Sequence, residues 1–471
     1  MAIDMKKTRL IPERIHIKAV SMVMAVMMVM SSPVLLAGCG KDDEKDLPAD
    51  YGTYGADIAR ELAQKYPYRK PYSSEEAAAG AYIEEKMKAL GFEPVVQTFS
   101  SRSGTSRNYV VSIPGKGFYM QDKAGEYSLQ HPLAIVGAHY DSSFDRESAE
   151  AFIKELEAQE NQDTEKQDKK KKKKKKDQET EETQAPVYNI TYDGLSDNAS
   201  GIGCLLTALA HVKEYKNLGY DVMFVAFGAG NDDFAGAEYF LKSLTPEQKA
   251  SIEVMYCIDS IYAGSKIYAS AGLSSVASKG NKYELRRKLY KTYDICYRNT
   301  LYSNYKFDIC YNESDIYADI NGDGSEELFA EISNNKSDYV PFDNAKIPVV
   351  YIESYDYNFD ELEEMKDTKN LNLKDYNGIV RGTPLDSTVI LDPIFKTDEQ
   401  DLLQIRVNCI AFVIIETIND GSSNGMTESE YKNFLENQKR GAEIVESQAD
   451  AAAASVTDPS VMKEALYGKK D

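Results

Sequence analysis

The chain has 471 residues, of which 42% are hydrophobic, and its formal net charge at pH 7 is −21. This length accommodates one large catalytic domain with appendages or two medium domains, and the hydrophobic content is enough for a sizeable core. The acidic excess disfavours nucleic acid as a partner, because nucleic-acid phosphates are also negative. We therefore expect a mainly globular protein with no nucleic acid partner, and its acidic surface suits an exported soluble domain.

The N-terminal segment, residues 1–38, resembles a secretion signal. Basic residues precede an apolar run from Ala19 to Leu36, and the sequence Leu36-Ala37-Gly38-Cys39 follows. Small residues followed by cysteine resemble a bacterial lipobox, which implies lipid attachment at Cys39 after cleavage. A single uncleaved membrane anchor is the alternative, although the apolar stretch is short for a membrane span. We predict a lipid-anchored protein on the extracytoplasmic face of a bacterial cell membrane.

The folded domain is expected to begin near Tyr51, after a polar tether at residues 39–50. Helical apolar spacing predicts helices at Ile58–Lys65 and Ser74–Leu90, and alternation predicts strands at Pro94–Phe99 and Tyr109–Ile113. An apolar strand is expected next, at Leu133–Ala138.

Residues 145–186 form a charged insertion that contains eight consecutive lysines at 169–176. Such a segment cannot bury a core, so we predict an extended or partly helical surface insertion. Two roles stay open: contact with anionic cell-surface polymers or lipid head groups, or a solvated loop without a specific role.

Strands and helices alternate from Ile190 onward. Strands are predicted at Val222–Phe227, Ile252–Ile258 and Val349–Ile352, and helices at Ala199–Val212, Ala237–Ser243, Glu284–Tyr293 and Glu399–Ile418. Apolar strands that alternate with helices favour an α/β fold, in which a mostly parallel mixed sheet is sandwiched by helices. We place this single domain at residues 51–420 and a polar helical or disordered tail at 421–471.

Polar residues follow several of these apolar strands. His139 and Asp141 come directly after Leu133–Ala138, Asp197 opens a helix, and Asp259 closes Ile252–Ile258. Groups at the carboxyl ends of strands share one crevice in an open α/β sheet. We therefore predict that these side chains meet around a cation, as in half of a two-metal hydrolase site.

The order of these motifs resembles the zinc aminopeptidase family, which includes bacterial leucyl aminopeptidases and glutamate carboxypeptidase II. The motifs are His139-x-Asp141, Ser-Asp-Asn-Ala-Ser-Gly at 196–201, Phe227-Gly228-Ala229 and Ile258-Asp259, and the resemblance runs from about Tyr51 to Ile418. It implies a zinc-exopeptidase-like (phosphorylase/hydrolase-like) fold with two zinc ions. It also implies hydrolysis of peptide or aminoacyl amide bonds by a metal-activated water.

The resemblance also implies roles for individual residues. His139 and Asp259 would bind the first zinc ion, and Asp197 would bridge both ions. Together with water, one imidazole and two carboxylates satisfy the tetrahedral preference of zinc. Asp141 would stand behind His139, where a carboxylate fixes the orientation of a metal-binding imidazole.

This chain departs from the family pattern at the second ion. Gly230 and Asn231 stand where family members carry Glu-Glu, the general base and a zinc ligand, and Tyr339 stands where they carry a histidine. The resemblance thus implies one zinc ion and leaves the second in doubt. Two interpretations stay open.

In the first interpretation, a small shift of the loop brings one of Asp232 and Asp233 to the metal and the other to the attacking water as a substitute base. Groups of Asn231, Asp338 or Tyr339 would add ligands, which leaves either an oxygen-rich second site or a site that works with a single metal. In the second interpretation, the protein is a catalytically inactive homologue that binds peptides or cell-wall fragments, because water activation and the two-metal clamp are lost. The fold alone does not distinguish these functions.

Asp319, Asn321 and Asp323 match the first half of a calcium-binding loop, followed by Ala330 where a glutamate is usual. A calcium site or a plain acidic turn is therefore expected there. The tyrosine-rich stretch from Tyr290 to Tyr317 would either line the crevice or simply reflect the 33 tyrosines of the chain.

The cysteines have two expected roles. Cys204 and Cys257 lie in apolar patterns and are predicted to be buried thiols. Cys296 and Cys310 are candidates for a disulfide outside the cell.

Overall fold

The computed structural model describes residues 47–155, 158, 192–277, 282–311, 316–318, 324, 327–329, 335–358, 364–376, 378–422 and 424–457. Cys39, the lysine run 169–176 and the calcium-loop candidates Asp319, Asn321 and Asp323 lie outside the described residues. The part of the charged insertion that is described includes a helical segment at 146–155.

The strands and helices alternate along most of the chain. The strands are β1 (Val95–Ser100), β2 (Thr105–Ile113), β3 (Phe118–Gln121), β4 (Tyr127–Gln130), β5 (Leu133–His139), β6 (Asp221–Phe227), β7 (Ile252–Ile258), β8 (Lys266–Ser270), β9 (Ile309–Cys310), β10 (Ile316–Ala318), β11 (Glu327–Phe329), β12 (Val349–Tyr355) and β13 (Gly425–Met426). The α-helices are α1 (Tyr54–Lys65), α2 (Ser74–Ala89), α3 (Ser200–Val212), α4 (Ala235–Ser243), α5 (Pro246–Ser251), α6 (Gly272–Ala277), α7 (Lys282–Arg298), α8 (Leu301–Tyr305), α9 (Val340–Asn344), α10 (Thr388–Phe395), α11 (Leu402–Asn419) and α12 (Glu428–Thr457), and short 3₁₀ turns lie at Pro48–Tyr51 and Leu371–Tyr376.

The main sheet has the strand order β1-β2-β6-β5-β7-β12-β8-β9. Its four central strands, β6, β5, β7 and β12, run parallel, whereas β1, β2 and β8 pair antiparallel with their neighbours on one or both sides. Every residue of β5 is buried. Burial on both faces explains why the central strands are apolar without alternation. The α/β architecture with a mostly parallel mixed sheet between helices is thus confirmed.

Two hydrophobic clusters fill the two sides of this sheet. One contains α1, α3 and α11 with the side chains of the sheet that point toward them, and the other contains Phe240, Phe342 and Tyr351. Helix α11 is the one described helix whose length and hydropathy would allow it to cross a membrane, and 78% of it is buried inside the protein. Its apolar character is accounted for by its position in the core.

Most predicted elements agree with the structure within a few residues. Helix α11 begins at Leu402 rather than Glu399, because the Asp401 carboxylate accepts hydrogen bonds from the backbone of Leu403 and Gln404 and caps the helix there. Helix α7 is longer than expected at both ends.

The expected disulfide is not formed, because Cys296 and Cys310 are both free thiols. The Cys296 thiol lies 4.0 Å from the carboxylate of Asp308 instead. The predicted burial of Cys204 and Cys257 is confirmed.

Candidate functional site

His139, Asp197 and Asp259 form one buried group at the carboxyl edge of the main sheet. His139 is the last residue of β5 and Asp259 follows the neighbouring parallel strand β7. His139 Nε2 lies 3.2 Å from Asp197 Oδ1 and 3.4 Å from Asp259 Oδ2. The ligand atoms of all three residues lie within 4.8 Å of one another.

This spacing fits a metal ion. Nitrogen and oxygen ligands lie about 2.0–2.2 Å from a tetrahedral zinc ion, which places them roughly 3.3 Å from one another. The second oxygen of Asp259, Oδ1, is buried and has no hydrogen-bond partner among the described residues. An imidazole and two carboxylates, with an unsatisfied buried oxygen, are a donor set suited to zinc.

The electrostatics of the group favour charged side chains. Burial lowers the pKa of His139, but the negative charges of Asp259 and Asp141 outweigh burial and raise that pKa well above its usual value. Burial raises the pKa of Asp259, but the positive charges of Arg381 and His139 outweigh it and hold the pKa well below the usual range. The carboxylate of Asp259 is therefore ionised at neutral pH.

The loop that carries Asp197 is held by residues that no sequence motif marks. The Asp386 carboxylate accepts hydrogen bonds from the backbone N–H groups of Ser196 at 2.7 Å and Asp197 at 2.8 Å. The fully buried Arg69 donates to the carbonyls of Asp193 at 2.7 Å, Gly194 at 2.9 Å and Tyr140 at 2.8 Å. Arg69 thus joins the chain after His139 to the chain before Asp197.

Asp141 connects His139 to the loop after β6. Its Oδ1 lies 3.3 Å from His139 Nδ1 and accepts from the Gly230 N–H at 2.6 Å. Its Oδ2 accepts from the backbone and the side-chain amide of Asn231 at 2.9 and 3.0 Å. This position agrees with the expected placement of a carboxylate behind the metal-binding imidazole.

The same loop passes very close to the imidazole. A β-carbon added at Gly230 would lie 2.6 Å from Cβ and Cγ of His139, a distance that requires movement of one of the two. Besides donating to Asp141, the side-chain amide of Asn231 accepts a hydrogen bond through its oxygen from the Ser143 hydroxyl at 3.0 Å. The two residues that stand in place of Glu-Glu thus support Asp141 and His139.

The two proposed substitute bases point in different directions. Asp232 Oδ2 accepts a hydrogen bond of 2.6 Å from the Tyr72 hydroxyl, and Asp232 is not among the residues that line the cleft at the metal group. Asp233 lies on the wall of that cleft. Of the two, Asp233 is therefore the one that can face a substrate.

The structure separates the two remaining candidates for a second metal site, Tyr339 and Asp338. The buried Tyr339 donates to the carbonyl of Asn335 at 3.0 Å and packs its ring against Tyr351 at 4.6 Å between centroids. Asp338 is fully buried, and neither of its oxygens has a hydrogen-bond partner among the described residues. Burial and the nearby carboxylates raise the pKa of Asp338 to about 7.

A cleft of about 370 Å³ opens over the metal group. It is lined by His139, Ser143, Asp197, Gly230, Asn231, Asp233, Phe234, Asp259, Lys336, Ser337, Arg381 and Gly382. Arg381 was not a sequence candidate because it lies in a loop without periodicity or a recognisable motif. Its Nη1 donates to Asp259 Oδ2 at 3.2 Å.

Comparison with known proteins agrees with this geometry. Residues 123–376 match the profile of Peptidase family M28, which covers more than half of the chain. The chain belongs to peptidase family M28. Membership confirms the resemblance to the zinc aminopeptidases and supports the interpretation of the chain as an enzyme of the metallopeptidase type.

Individual relatives of this M28 protein are distant. The alkaline phosphatase isozyme conversion protein of Escherichia coli strain K12 is 21% identical over 228 residues, which is 48% of this chain. The M28 chain spans 55% of the length of that curated relative.

Three solved structures are similar to this chain over most of their length. A glutaminyl cyclase from an Acidobacteriales bacterium is 16% identical over 83% of this chain and 98% of its own, with a TM-score of 0.46. A zinc aminopeptidase from Bacillus subtilis is 13% identical over 80% and 98%, with a TM-score of 0.44. A Zn-dependent exopeptidase from Parabacteroides distasonis is 13% identical over 80% and 99%, with a TM-score of 0.45.

Proposed function

We propose that this M28 protein is a lipid-anchored, extracytoplasmic metallopeptidase that hydrolyses peptide or aminoacyl amide bonds. The observation that carries the proposal is the buried group of His139, Asp197 and Asp259 at the base of an open cleft. These residues would hold one zinc ion. Bound there, zinc supplies a Lewis acid for the substrate carbonyl and lowers the pKa of water.

The other residues of the site would orient the group and move a proton. Asp141 holds the His139 ring, and Asp386 and Arg69 hold the loop of Asp197. Asp233 lines the cleft and is the carboxylate that we assign as general base. A general base acts at hydrogen-bond distance from the proton that it removes.

A specific observation favours a second function, that of a catalytically inactive peptide-binding or cell-wall-fragment-binding protein. Positions 230 and 231, where the resemblance implies Glu-Glu, carry no carboxylate, and the carboxylate of Asp232 already accepts a hydrogen bond from the Tyr72 hydroxyl. If Asp233 does not act as a base, this cleft binds its ligand without hydrolysing it.

Metal content and turnover, measured on the purified full chain, test the proposal. Elemental analysis is expected to give one zinc ion per chain, and Asp259→Asn is expected to lose that zinc. With zinc present, Asp233→Asn is expected to lower turnover of dipeptides and aminoacyl amides at least about 100-fold, and Asp232→Asn is the matched control. A zinc-loaded natural chain without turnover of any of these substrates would instead support the binding function.

The domain plan belongs to the same proposal. A signal peptide at residues 1–38 and lipid at Cys39 would place the M28 domain outside the cell, tethered by residues 39–50. The charged insertion at 145–186 and the tail at 421–471 would be appendages of the domain at 51–420. A second metal ion and calcium at Asp319, Asn321 and Asp323 are separate hypotheses, which the same elemental analysis addresses.

A further inference from the structure

Arg381 has unused hydrogen-bond donors beside the candidate metal site. Its Nη1 donates to Asp259 Oδ2 at 3.2 Å and to the Tyr351 hydroxyl at 3.4 Å. Its Nε and Nη2 are buried and have no acceptor among the described residues. Burying such donors without an acceptor costs free energy. This edge of the guanidinium therefore lacks an acceptor within the described protein, and the side chain, 18% exposed, lines the cleft from which a ligand could supply one.

Nε and Nη2 together form an edge of the guanidinium that binds a carboxylate through two parallel hydrogen bonds. Arg60 uses this edge within the protein, where Nε donates to Asp392 Oδ2 at 2.8 Å and Nη2 donates to Asp392 Oδ1 at 2.9 Å. In Arg69 the same edge is filled by the carbonyls of Tyr140 and Gly194. The corresponding edge of Arg381 is buried and has no acceptor among the described residues.

Arg381 is held in place by hydrogen bonds of both its backbone and its side chain. The buried Asp367 accepts hydrogen bonds from the backbone of Val380 at 2.7 Å and of Arg381 at 3.1 Å. Prior fixation of a binding group reduces the entropy lost when a ligand binds. Lys336 also lines the cleft. The cleft therefore carries two positive side chains, although the net charge of the whole chain is −21.

On the basis of the proposed peptidase function, we infer that Arg381 binds a carboxylate of the substrate next to the scissile bond. Arg381 donates to Asp259, one of the candidate metal ligands. A substrate whose scissile carbonyl lies at the metal group would therefore bring to Arg381 a carboxylate of the next residue, since consecutive Cα atoms are about 3.8 Å apart. The substrate class is thus dipeptides, or peptides that carry a carboxylate on the residue following the scissile bond.

Binding of a non-hydrolysable ligand tests this inference apart from turnover. The probe is Ala-Ala with the amide reduced to –CH2–NH–, titrated calorimetrically into the full chain as the free acid and as the C-terminal carboxamide. The free acid is expected to bind about tenfold more tightly or better, the usual scale of a charge-assisted bidentate contact. An Ala-Glu carboxamide probe distinguishes a side-chain carboxylate from a terminal one.

Variants of Arg381 test whether this residue causes the tighter binding of the free acid. Arg381→Gln and Arg381→Lys are both expected to reduce the acid-to-amide ratio below threefold, the lysine because it keeps the charge but lacks the planar edge. Arg102→Gln, at an exposed position between β1 and β2, is expected to keep the ratio. Thermal unfolding of each variant checks that it is folded.

The outcomes separate the inference from the proposed function. Equal binding of the Ala-Ala acid, the Ala-Ala amide and the Ala-Glu carboxamide by the natural chain, or a preference that survives in Arg381→Gln, would overturn the role of Arg381. Undetectable binding of every probe at millimolar concentration would overturn it too. Dipeptide turnover without a preference for a carboxylate would leave the peptidase function in place, whereas a carboxylate preference without any turnover would leave Arg381 as a carboxylate-binding residue of a protein that does not hydrolyse peptides.

Discussion

Asp141 illustrates how one buried carboxylate organises the site at the scale of the residue. It lies beside the His139 ring and accepts three hydrogen bonds from Gly230 and Asn231. The imidazole and the loop after β6 are therefore oriented by the same side chain. A change at Asp141 should affect metal binding although Asp141 is not itself a predicted zinc ligand.

We expect Asp141→Ala to weaken zinc binding about 10- to 100-fold, the usual effect of removing the partner of a metal-binding histidine. Competition with a chromophoric chelator measures the affinity. Asp145→Ala is the control, because Asp145 makes an exposed ion pair with Lys70. An affinity within threefold of the natural chain would contradict the role assigned to Asp141.

Glu76 is a buried carboxylate outside the metal group. It accepts hydrogen bonds from Tyr72 N–H, Ser106 Oγ and Ala229 N–H, yet burial and the charge of Asp141 raise its pKa from 4.5 to about 7. A carboxyl group whose pKa is raised by folding stabilises the fold below its unfolded pKa. That contribution is lost as the pH rises through the folded pKa.

We therefore expect the free energy of unfolding of the natural chain, relative to Glu76→Gln, to fall by about 3 kcal/mol between pH 4 and pH 8. Urea unfolding across this pH range measures the difference, and groups common to both chains cancel. Parallel pH profiles for the two chains would show that Glu76 has an ordinary pKa in the fold.

Sequence alone predicts one part of the site well and the rest poorly. His139 and Asp259 end apolar strands, so the rule that strand ends share a crevice brings them together. Arg69, Asp386 and Arg381 come from turns and loops, where neither periodicity nor spacing marks a side chain that reaches another segment. Their partners are set by tertiary contacts, which a single sequence does not reveal.

For helix α11, the sequence predicts the helix, but its environment depends on tertiary packing. Its apolar character was readable from the sequence, and 78% of it is buried in the core against α1, α3 and α7. The same composition would suit a membrane span. The side chains that surround the helix, rather than its hydropathy, decide its environment.

Truncation of a side chain on α11 should destabilise the fold strongly. Ile414 is completely buried, so we expect Ile414→Ala to lower the free energy of unfolding by about 2–5 kcal/mol, the range for large-to-small changes in a core. Ile444→Ala on helix α12 provides the same chemical change at a side chain that is 50% exposed. There the loss should stay below about 0.5 kcal/mol, and equal losses would argue against a core position for α11.

The eight-stranded sheet and its order illustrate what periodicity can supply. The apolar central strands were predicted because burial on both faces leaves a continuous apolar run. The short strands β9, β10, β11 and β13 have two or three residues each, too few for a pattern to be recognised. Local sequence therefore predicts the centre of the main sheet and its β1-β2 edge, and it misses β8 and β9 at the other edge and the strands of the two small sheets, β10-β11 and β13-β3-β4.

At the scale of the whole molecule, the proposed anchor makes a prediction about location. Cys39→Ser removes the thiol that would carry the lipid, so the protein should move from the membrane fraction to the soluble fraction of the cell. Fractionation with radiolabelled palmitate measures both effects. Membrane association that persists in Cys39→Ser without label would instead support an uncleaved anchor.

The close packing of Gly230 against His139 limits which side chains position 230 accepts. A β-carbon there would lie 2.6 Å from Cβ and Cγ of His139, so any residue other than glycine requires the loop or the imidazole to move. Asp141 accepts a hydrogen bond from the Gly230 N–H and lies 3.3 Å from Nδ1 of the same imidazole, so a shift of this loop would also disturb the metal group. Protein engineering that adds a carboxylate at position 230 would therefore have to redesign the loop before the new side chain could serve as a base.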